Sequence, residues 1–283
     1  MRIASLQPSI TLTIAALNRL ERLCACTKYC LEAIPELKKM KLSILHDSWT
    51  ANTEEIVATA PDLVIASVPY RMESLAAILK SGLPVLTLAP HSLADVYKDI
   101  GLIAAMVDAQ AKGDSLITEM QSTLDATRQR SQRRTETPIV YSEEWGKPLI
   151  HSQSWVAELV EAAGGRYLGT PGSHTTPENI AAEDPDVLIF SWCGAGNRVP
   201  LEWVIERRNW QSLKAVRTHR VFCIPDQFLN TPAHTLLEGL ACIAASLHPD
   251  LYPSHPELIQ LRETQITAAG ASSDQYPPPA SAW

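Results

Sequence analysis

Residues 54–67 read EEIVATAPDLVIAS and residues 178–191 read ENIAAEDPDVLIFS, and the two align without a gap. They share Glu54/Glu178, Ile56/Ile180, Ala58/Ala182, Pro61/Pro185, Asp62/Asp186, Ile65/Ile189 and Ser67/Ser191. Each copy reads as a short helix, a Pro-Asp turn that stops it, and an apolar run suited to a strand covered on both faces. A chain that writes this unit twice is constrained to two similar lobes.

The flanks repeat in the same order. A strand and an amphipathic helix precede each copy, Arg2–Leu6 with Ile10–Leu20 and Ile139–Ser142 with Trp155–Ala163. A further strand follows each, Val85–Leu88 and Val221–Ile224. Strands alternating with helices predict an α/β fold with a parallel sheet in each lobe. Between the lobes, Ser92 to Arg134 carries a Pro-free helical pattern, with Ser92 as its cap, Asp95 in its first turn, and Gly113 as a point of kinking or division. The expected organisation is an N-terminal lobe over 1–91, a stiff connecting backbone helix over 92–134 and a C-terminal lobe over 135–265, with a ligand cleft between the lobes. The Ala-, Ser- and Pro-rich stretch over 266–283 reads as a disordered tail.

Composition bounds the rest. The 283 residues suffice for one large domain or two small ones, and a net charge of -7 argues against nucleic acid. The basic run Arg128 to Arg134 reads as a solvated helix end. No apolar run approaches the roughly 18 residues that a membrane span needs. Arg2 to Leu6 alternates as a strand with no apolar leader before it, and the six cysteines are not needed as staples at this size. These features lead to the expectation of a reduced, cytoplasmic protein. A trimmed leader with an added Met1 would instead make it periplasmic.

At the level of whole segments, RIASLQPSITLTIAAL, SWTANTEEIVATAPDLVIAS, GLPVLTLAPHSLADV, SQSWVAELVEAAGG and DPDVLIFS occur in the order of a known family. The chain resembles the helical-backbone (class III) periplasmic substrate-binding proteins of ABC importers for cobalamin, siderophores and haem, and is most similar to the cobalamin binders. The resemblance covers about residues 2–248. It implies a ligand contact at Tyr29 and at Trp49. It also implies an exposed docking acid on each lobe for the ABC permease, with Glu54 at the first position. The second falls near Leu229, where no acid stands, and Gln227 replaces an expected ligand-facing aromatic. These departures leave storage or delivery as open as uptake.

Ligands of open α/β sheets sit beyond the carboxyl ends of the strands. The loops expected there supply Pro8, Ser9, Tyr29, Trp49, Ser67, Tyr70, Trp145, His151, Trp192, Arg198, Gln227 and Phe228 as ligand-binding candidates. Tyr and Trp suit a large, mostly apolar macrocycle because they pack on it with little loss of entropy. Trp155, Trp203 and Trp210 fall in helical patterns and read as packing residues. The loop WCGAGNRVP (192–200) has two reads: a backbone N–H cradle for an anion, or a turn that needs glycine.

The favoured function is non-catalytic binding of a corrinoid, with His151 as a candidate axial ligand. The alternative is a bare metal ion or another chelate, haem or siderophore, with His151, Cys30 or Glu144 as donors. Cys24-x-Cys26-x3-Cys30 lacks the second ligand pair of a zinc site, and Cys24 and Cys26 read as core thiols. A chelatase-like enzyme using His151 and Glu144 is the reading from a different class. No nucleophile elbow or HExxH pattern supports it.

Overall fold

The computed structural model describes residues 1–46, 52–68 and 71–261. Trp49, Tyr70 and the expected tail lie outside the described residues. The chain divides into two units, Met1–Gln121 with Thr231–His234, and Ser122–Asn230 with the rest of the C-terminal portion.

The first unit is built on five parallel strands in the order β3-β2-β1-β4-β5. They are β1 (Ile3–Ser5), β2 (Leu23–Thr27), β3 (Ser43–Leu45), β4 (Leu63–Ser67) and β5 (Val85–Leu88). The helices are α1 (Pro8–Ala16), α2 (Lys28–Ala33), α3 (Thr53–Ala58), α4 (Met72–Lys80), α5 (Leu93–Met106) and the start of α6 (Gln110–Ser131), whose last ten residues belong to the second unit. Two buried clusters cover the sheet, one around Ile3, Ile14, Cys26 and Ile65, the other around Ala4, Leu6, Ile56 and Val64.

The connecting helix expected over 92–134 is two helices. Ser92 caps α5 by accepting from the Asp95 N–H at 3.1 Å, as its sequence suggests. The break comes at Val107–Ala109, where Asp108 takes φ 55°, and not at Gly113. Gly113 lies inside α6, where an added Cβ would stand 2.5 Å from the Ala104 Cβ of α5. Its role is close helix packing, not a kink.

The second unit holds seven strands, ordered β12-β11-β10-β6-β7-β9 with β8 on β6. These are β6 (Ile139–Gly146), β7 (Leu149–His151), β8 (Arg166–Tyr167), β9 (His174–Thr175), β10 (Val187–Phe190), β11 (Val221–Cys223) and β12 (Ile259–Gln260). The helices are α7 (Ser154–Ala162), α8 (Pro177–Glu183), α9 (Leu201–Arg207), α10 (Lys214–Arg217), α11 (Asp226–Leu229) and α12 (Leu236–Leu247). This sheet is mixed, which corrects the expectation of a parallel one. β6 pairs in parallel with β10 and β8, but antiparallel with β7 through a short hairpin. A two-residue connection can only return antiparallel.

The duplicated unit has a physical reason at each shared position. The helix of each copy ends in a left-handed residue directly before proline, Ala60 at φ 47° and Asp184 at φ 41°. The left-handed residue closes the helix and the proline prevents its continuation. The following aspartate then takes an N–H where the neighbouring strand begins: Arg2 N, just before β1, donates to Asp62 Oδ2 at 2.6 Å, and Ile139 N, the first residue of the strand Ile139–Gly146, to Asp186 Oδ2 at 2.7 Å. A short polar residue at that step satisfies a donor that the parallel ladder leaves unpaired. The strands that follow, LVIAS and VLIF, are buried throughout.

Candidate functional site

Each unit presents the carboxyl ends of its parallel strands, where open α/β sheets bind ligands. In the first, the side chains there close on one another. Ser5 Oγ lies 2.7 Å from Thr11 Oγ1, and Thr11 Oγ1 donates to Cys30 Sγ at 3.1 Å. Gln7, the residue before α1, sends its Nε2 to the Ser67 carbonyl at 3.3 Å. Pro8 opens α1, where its missing N–H costs nothing, and Ser9 and Ser67 are buried beside a crevice also lined by Thr13, Asp99 and Pro232. Burial pushes the Asp99 carboxyl up to about 6, with Asp95 adding to it.

Tyr29 is half-buried in the first turn of α2, with the Lys28 ammonium 5.0 Å from its ring centre. Cys30 was expected as a candidate metal donor. It is the third residue of α2 and 0% exposed, so its sulfur faces the core rather than a ligand. His91 is exposed and donates its backbone N–H to Asp95 Oδ2 at 3.2 Å, which makes it part of the α5 cap.

In the second unit the same end of the sheet is charged. Glu143 is 0% exposed and receives both arms of Arg208 at 2.8 Å each, the Trp192 indole N–H at 2.7 Å and the Tyr141 hydroxyl. A bidentate guanidinium with two further donors fills the carboxylate's lone pairs, which is what a buried charge needs. The network fixes Trp192, whose ring also lies against Gly146; an added Cβ there would be 2.5 Å from Trp192 Cζ2. Trp192 is therefore a half-buried clamp on the hairpin, with one edge on Phe190. Trp145 lies in β6, half-exposed, and its indole donates to the Lys147 carbonyl at 2.8 Å.

His151 was expected in a ligand-facing loop and is instead in β7, 3% exposed. The Tyr141 ring stands edge-on to it at 5.3 Å, and the backbone of Gly169 leaves no room for a Cβ, which would fall 2.3 Å from His151 Cε1. Its Nδ1 has no hydrogen-bond partner, and burial holds its pKa below the ordinary value. Encased in this way, it cannot reach an axial position on a metal. Glu144, its partner in the enzyme reading, is bound to Gln153 Nε2 at 2.6 Å, and burial pushes its carboxyl up to about 7. Nearby, Ser191 Oγ and Asn230 Oδ1 are buried without a partner, while the Asn230 amide donates to the Ser191 carbonyl and to Cys193 Sγ.

The loop after β10 does form an N–H cradle, but the chain fills it itself. Gly194 N donates to Asp226 Oδ2 at 2.7 Å and Gly196 N to Asp226 Oδ1 at 3.0 Å. Both glycines take left-handed φ, 78° and 59°, so the turn needs them for conformation. The anion reading of this loop is thus corrected: the carboxylate it holds is Asp226. Arg198 points back to the Ala195 carbonyl at 3.2 Å and is exposed. Gln227 is exposed in α11, and Phe228 is buried with its ring 5.7 Å from that of His255. Glu54 is exposed at the start of α3, where Asn52 caps its N–H; Leu229 is 0% exposed.

Among the described residues, no three His, Cys, Asp or Glu side chains stand together as a set able to hold a metal ion. None of the described helices is long and apolar enough to cross a membrane. The network around Glu143 could not have been read from spacing, because Arg208 lies 65 residues away.

Comparison with known proteins then orders these observations. The chain is 25% identical over 264 residues to YvrC of Bacillus subtilis (strain 168), an ABC transporter substrate-binding lipoprotein, covering 89% of this chain and 81% of that one. Its fold is that of the periplasmic haem-binding protein RhuT of Roseiflexus sp. RS-1, with TM-score 0.76, 22% identity, and 88% and 98% of the two chains covered. A periplasmic haem-binding protein of Pseudomonas aeruginosa gives TM-score 0.81 at 18% identity over 92% and 97% of the chains. The vitamin B12-binding protein BtuF of Vibrio cholerae gives 0.70 at 21% over 88% and 96%. The expectation of a cytoplasmic protein is overturned by these relatives, which are periplasmic or lipoproteins; it rested on the opening residues, which do not decide the compartment. The profile of the family described as Periplasmic binding protein matches residues 3–228, and the chain belongs to that family of non-catalytic solute-binding proteins.

Proposed function

We propose that this chain captures a corrinoid at the carboxyl ends of its strands and hands it to an ABC importer. The observation that carries the reading is the burial of His151, at 3% exposure. A bare metal ion or a four-coordinate chelate needs donors from the protein, and here the expected imidazole is sealed while the expected thiol, Cys30, is 0% exposed. A cobalamin brings its metal, its equatorial nitrogens and its own axial base, so it needs apolar and aromatic contact and not a donor. Half-buried Tyr29 in the first unit supplies such contact, and Trp49 and Tyr70 are proposed as further aromatic contacts.

Haem is the second reading, favoured by two observations. Relatives of the same fold are haem-binding proteins, and Tyr29 offers a phenol oxygen of the kind that can ligate haem iron. For the importer, Glu54 is the proposed docking acid of the first unit. Leu229 cannot serve the second, being wholly buried. Glu178, exposed at the matching step of the repeat, is the acid that unit offers.

Titration with cyanocobalamin and with hemin, read by quenching of the seven tryptophans and by the visible spectrum, tests the assignment. Saturable quenching by cyanocobalamin with an unshifted corrin spectrum is expected. A shifted Soret band with hemin, absent in Tyr29→Phe, and no response to cyanocobalamin would move the assignment to haem.

A further inference from the structure

The first unit encloses two thiols where β2 gives way to α2. Cys26 is the next-to-last residue of the strand and Cys30 the third of the helix, and both are 0% exposed. Their thiols hydrogen-bond to one another. Two hydroxyls close on the same sulfur: Thr11 Oγ1 donates to Cys30 Sγ at 3.1 Å, and Thr27 Oγ1 lies 3.3 Å from it. A core cysteine ordinarily behaves as a small hydrophobe and needs no polar company. This one has three polar neighbours, each able to donate to it.

That surrounding divides the two thiols chemically. The Cys26 thiol, followed by the Thr11 and Thr27 hydroxyls, holds the Cys30 thiol below its ordinary value against the opposing effect of burial. Cys26 is pushed the other way, first by the same hydrogen bond and then by burial, and keeps its proton. An easily ionised sulfur touching a protonated one is the arrangement that thiol–disulfide exchange uses. The chain belongs to a periplasmic family, and disulfides persist in that kind of compartment.

We propose that Cys26 and Cys30 are joined by a disulfide in the mature protein, closing a small ring across Thr27, Lys28 and Tyr29. The oxidant is an external disulfide, either a thiol oxidase or, in a test tube, glutathione disulfide. The Cys30 thiolate attacks one sulfur of that disulfide, whose S–S bond breaks and releases one thiolate. Cys26 then loses its proton to a solvent base and attacks the Cys30 sulfur of the mixed disulfide, releasing the second thiolate. Two protein thiols are oxidised and one external disulfide is reduced. Because both sulfurs are buried, the exchange belongs to the folding chain, or to moments when the six residues of α2 open. The ring contains Tyr29, so oxidation ties the position of that aromatic residue to β2; its value for ligand contact rests on the function proposed above, whereas the disulfide does not.

The test uses no ligand. The full chain is refolded in a glutathione redox buffer, unfolded without reductant, alkylated and mapped by fragmentation mass spectrometry, beside Cys24→Ser and Cys30→Ser. The expected result is that two of the six thiols escape alkylation, that the linked residues are Cys26 and Cys30, and that Cys24→Ser retains the link while Cys30→Ser frees Cys26. Alkylation of all six thiols in protein that was refolded in the redox buffer and then unfolded without reductant would overturn the proposal, and so would a link that runs through Cys24. Circular dichroism of each variant separates loss of the link from loss of the fold.

Discussion

The two units share a repeated frame and finish the ends of their strands in opposite ways. In the first, hydroxyls, an amide and thiols close on one another without a formal charge, through Ser5, Thr11, Thr27 and Cys30. In the second, the frame carries Glu143 locked to Arg208, Asp226 locked to two glycine N–H groups, and Glu144 held only by an amide. Neutral networks tolerate the loss of a member because the remaining groups still bond. Charged ones do not, because the partner left behind is an unpaired charge in a poor solvent. One duplicated scaffold therefore yields a forgiving end and an unforgiving one.

Arg208→Met tests the unforgiving end most severely. It leaves the Glu143 carboxylate, 0% exposed, with only the Tyr141 and Trp192 donors. The expected loss is about 3–5 kcal/mol by urea denaturation. Trp192 emission should change with it, since the indole N–H donates to the same carboxylate at 2.7 Å. The double variant Glu143→Gln with Arg208→Met should recover part of the loss. A single variant no weaker than wild type would break the comparison at its strongest point.

How much of this was legible in the sequence follows from the same contrast. The repeat was readable because its reasons are local: a helix stop, a proline and an aspartate that reaches the adjacent strand. The mixed sheet was not. EEWGKPLIH carries two acids, a glycine and a proline and reads as a loop, yet it folds as a hairpin in which Glu143 finds its partner far along the chain, in Arg208, while Glu144 is met by nearby Gln153. His151 went astray with that loop: placed in β7, it faces Tyr141 and Gly169 and not a ligand. The helix break was misplaced for a related reason. Glycine is the usual sign of a break, but Gly113 is demanded by contact with Ala104, while Asp108 takes the left-handed turn. Of the site candidates, the glycines of the loop after β10 have the conformational role that one reading of that loop gave them, whereas Pro8, expected in a loop, opens α1. Those whose roles depend on burial, Cys30 and His151, were misread, since periodicity over a short segment does not report what packs against it.

Glu144 gives the second, smaller test, through pH. Burial raises its carboxyl from the model-compound value of 4.5 to about 7, so the folded state holds a proton that the unfolded state releases. Its cost is absent below about pH 4.5, grows as pH rises, and is complete above about 7. Glu144→Gln keeps an acceptor for Gln153 and removes the charge. It should stabilise the protein by about 1–3 kcal/mol at alkaline pH and by nothing near pH 4, measured as the difference between two stability–pH curves. Parallel curves would mean that the charge is solvated and that the second unit is less exposed to pH than its buried acids imply.

Thr11→Val is the mildest test and the one that probes the forgiving end. The substitution keeps the shape and removes the hydroxyl that joins Ser5 to Cys30. Ser5 Oγ retains the Gln7 carbonyl at 3.2 Å, and Cys30 Sγ retains Thr27 at 3.3 Å, so no group is stranded. At about pH 5, where the Cys30 thiol keeps its proton, the expected loss is about 1 kcal/mol, the usual net worth of one neutral hydrogen bond, and it should grow as pH rises, because the Thr11 hydroxyl favours the Cys30 thiolate. The chemical consequence should exceed the energetic one, because Thr11 is one of the donors that hold the Cys30 thiol down. With fewer donors, alkylation of Cys30 in the reduced, partly unfolded protein should need a higher pH, and oxidative closure with Cys26 should slow. A loss of several kcal/mol in this variant would show that the neutral network is as brittle as the charged one, and the contrast between the two units would then lie in their residues and not in their physics.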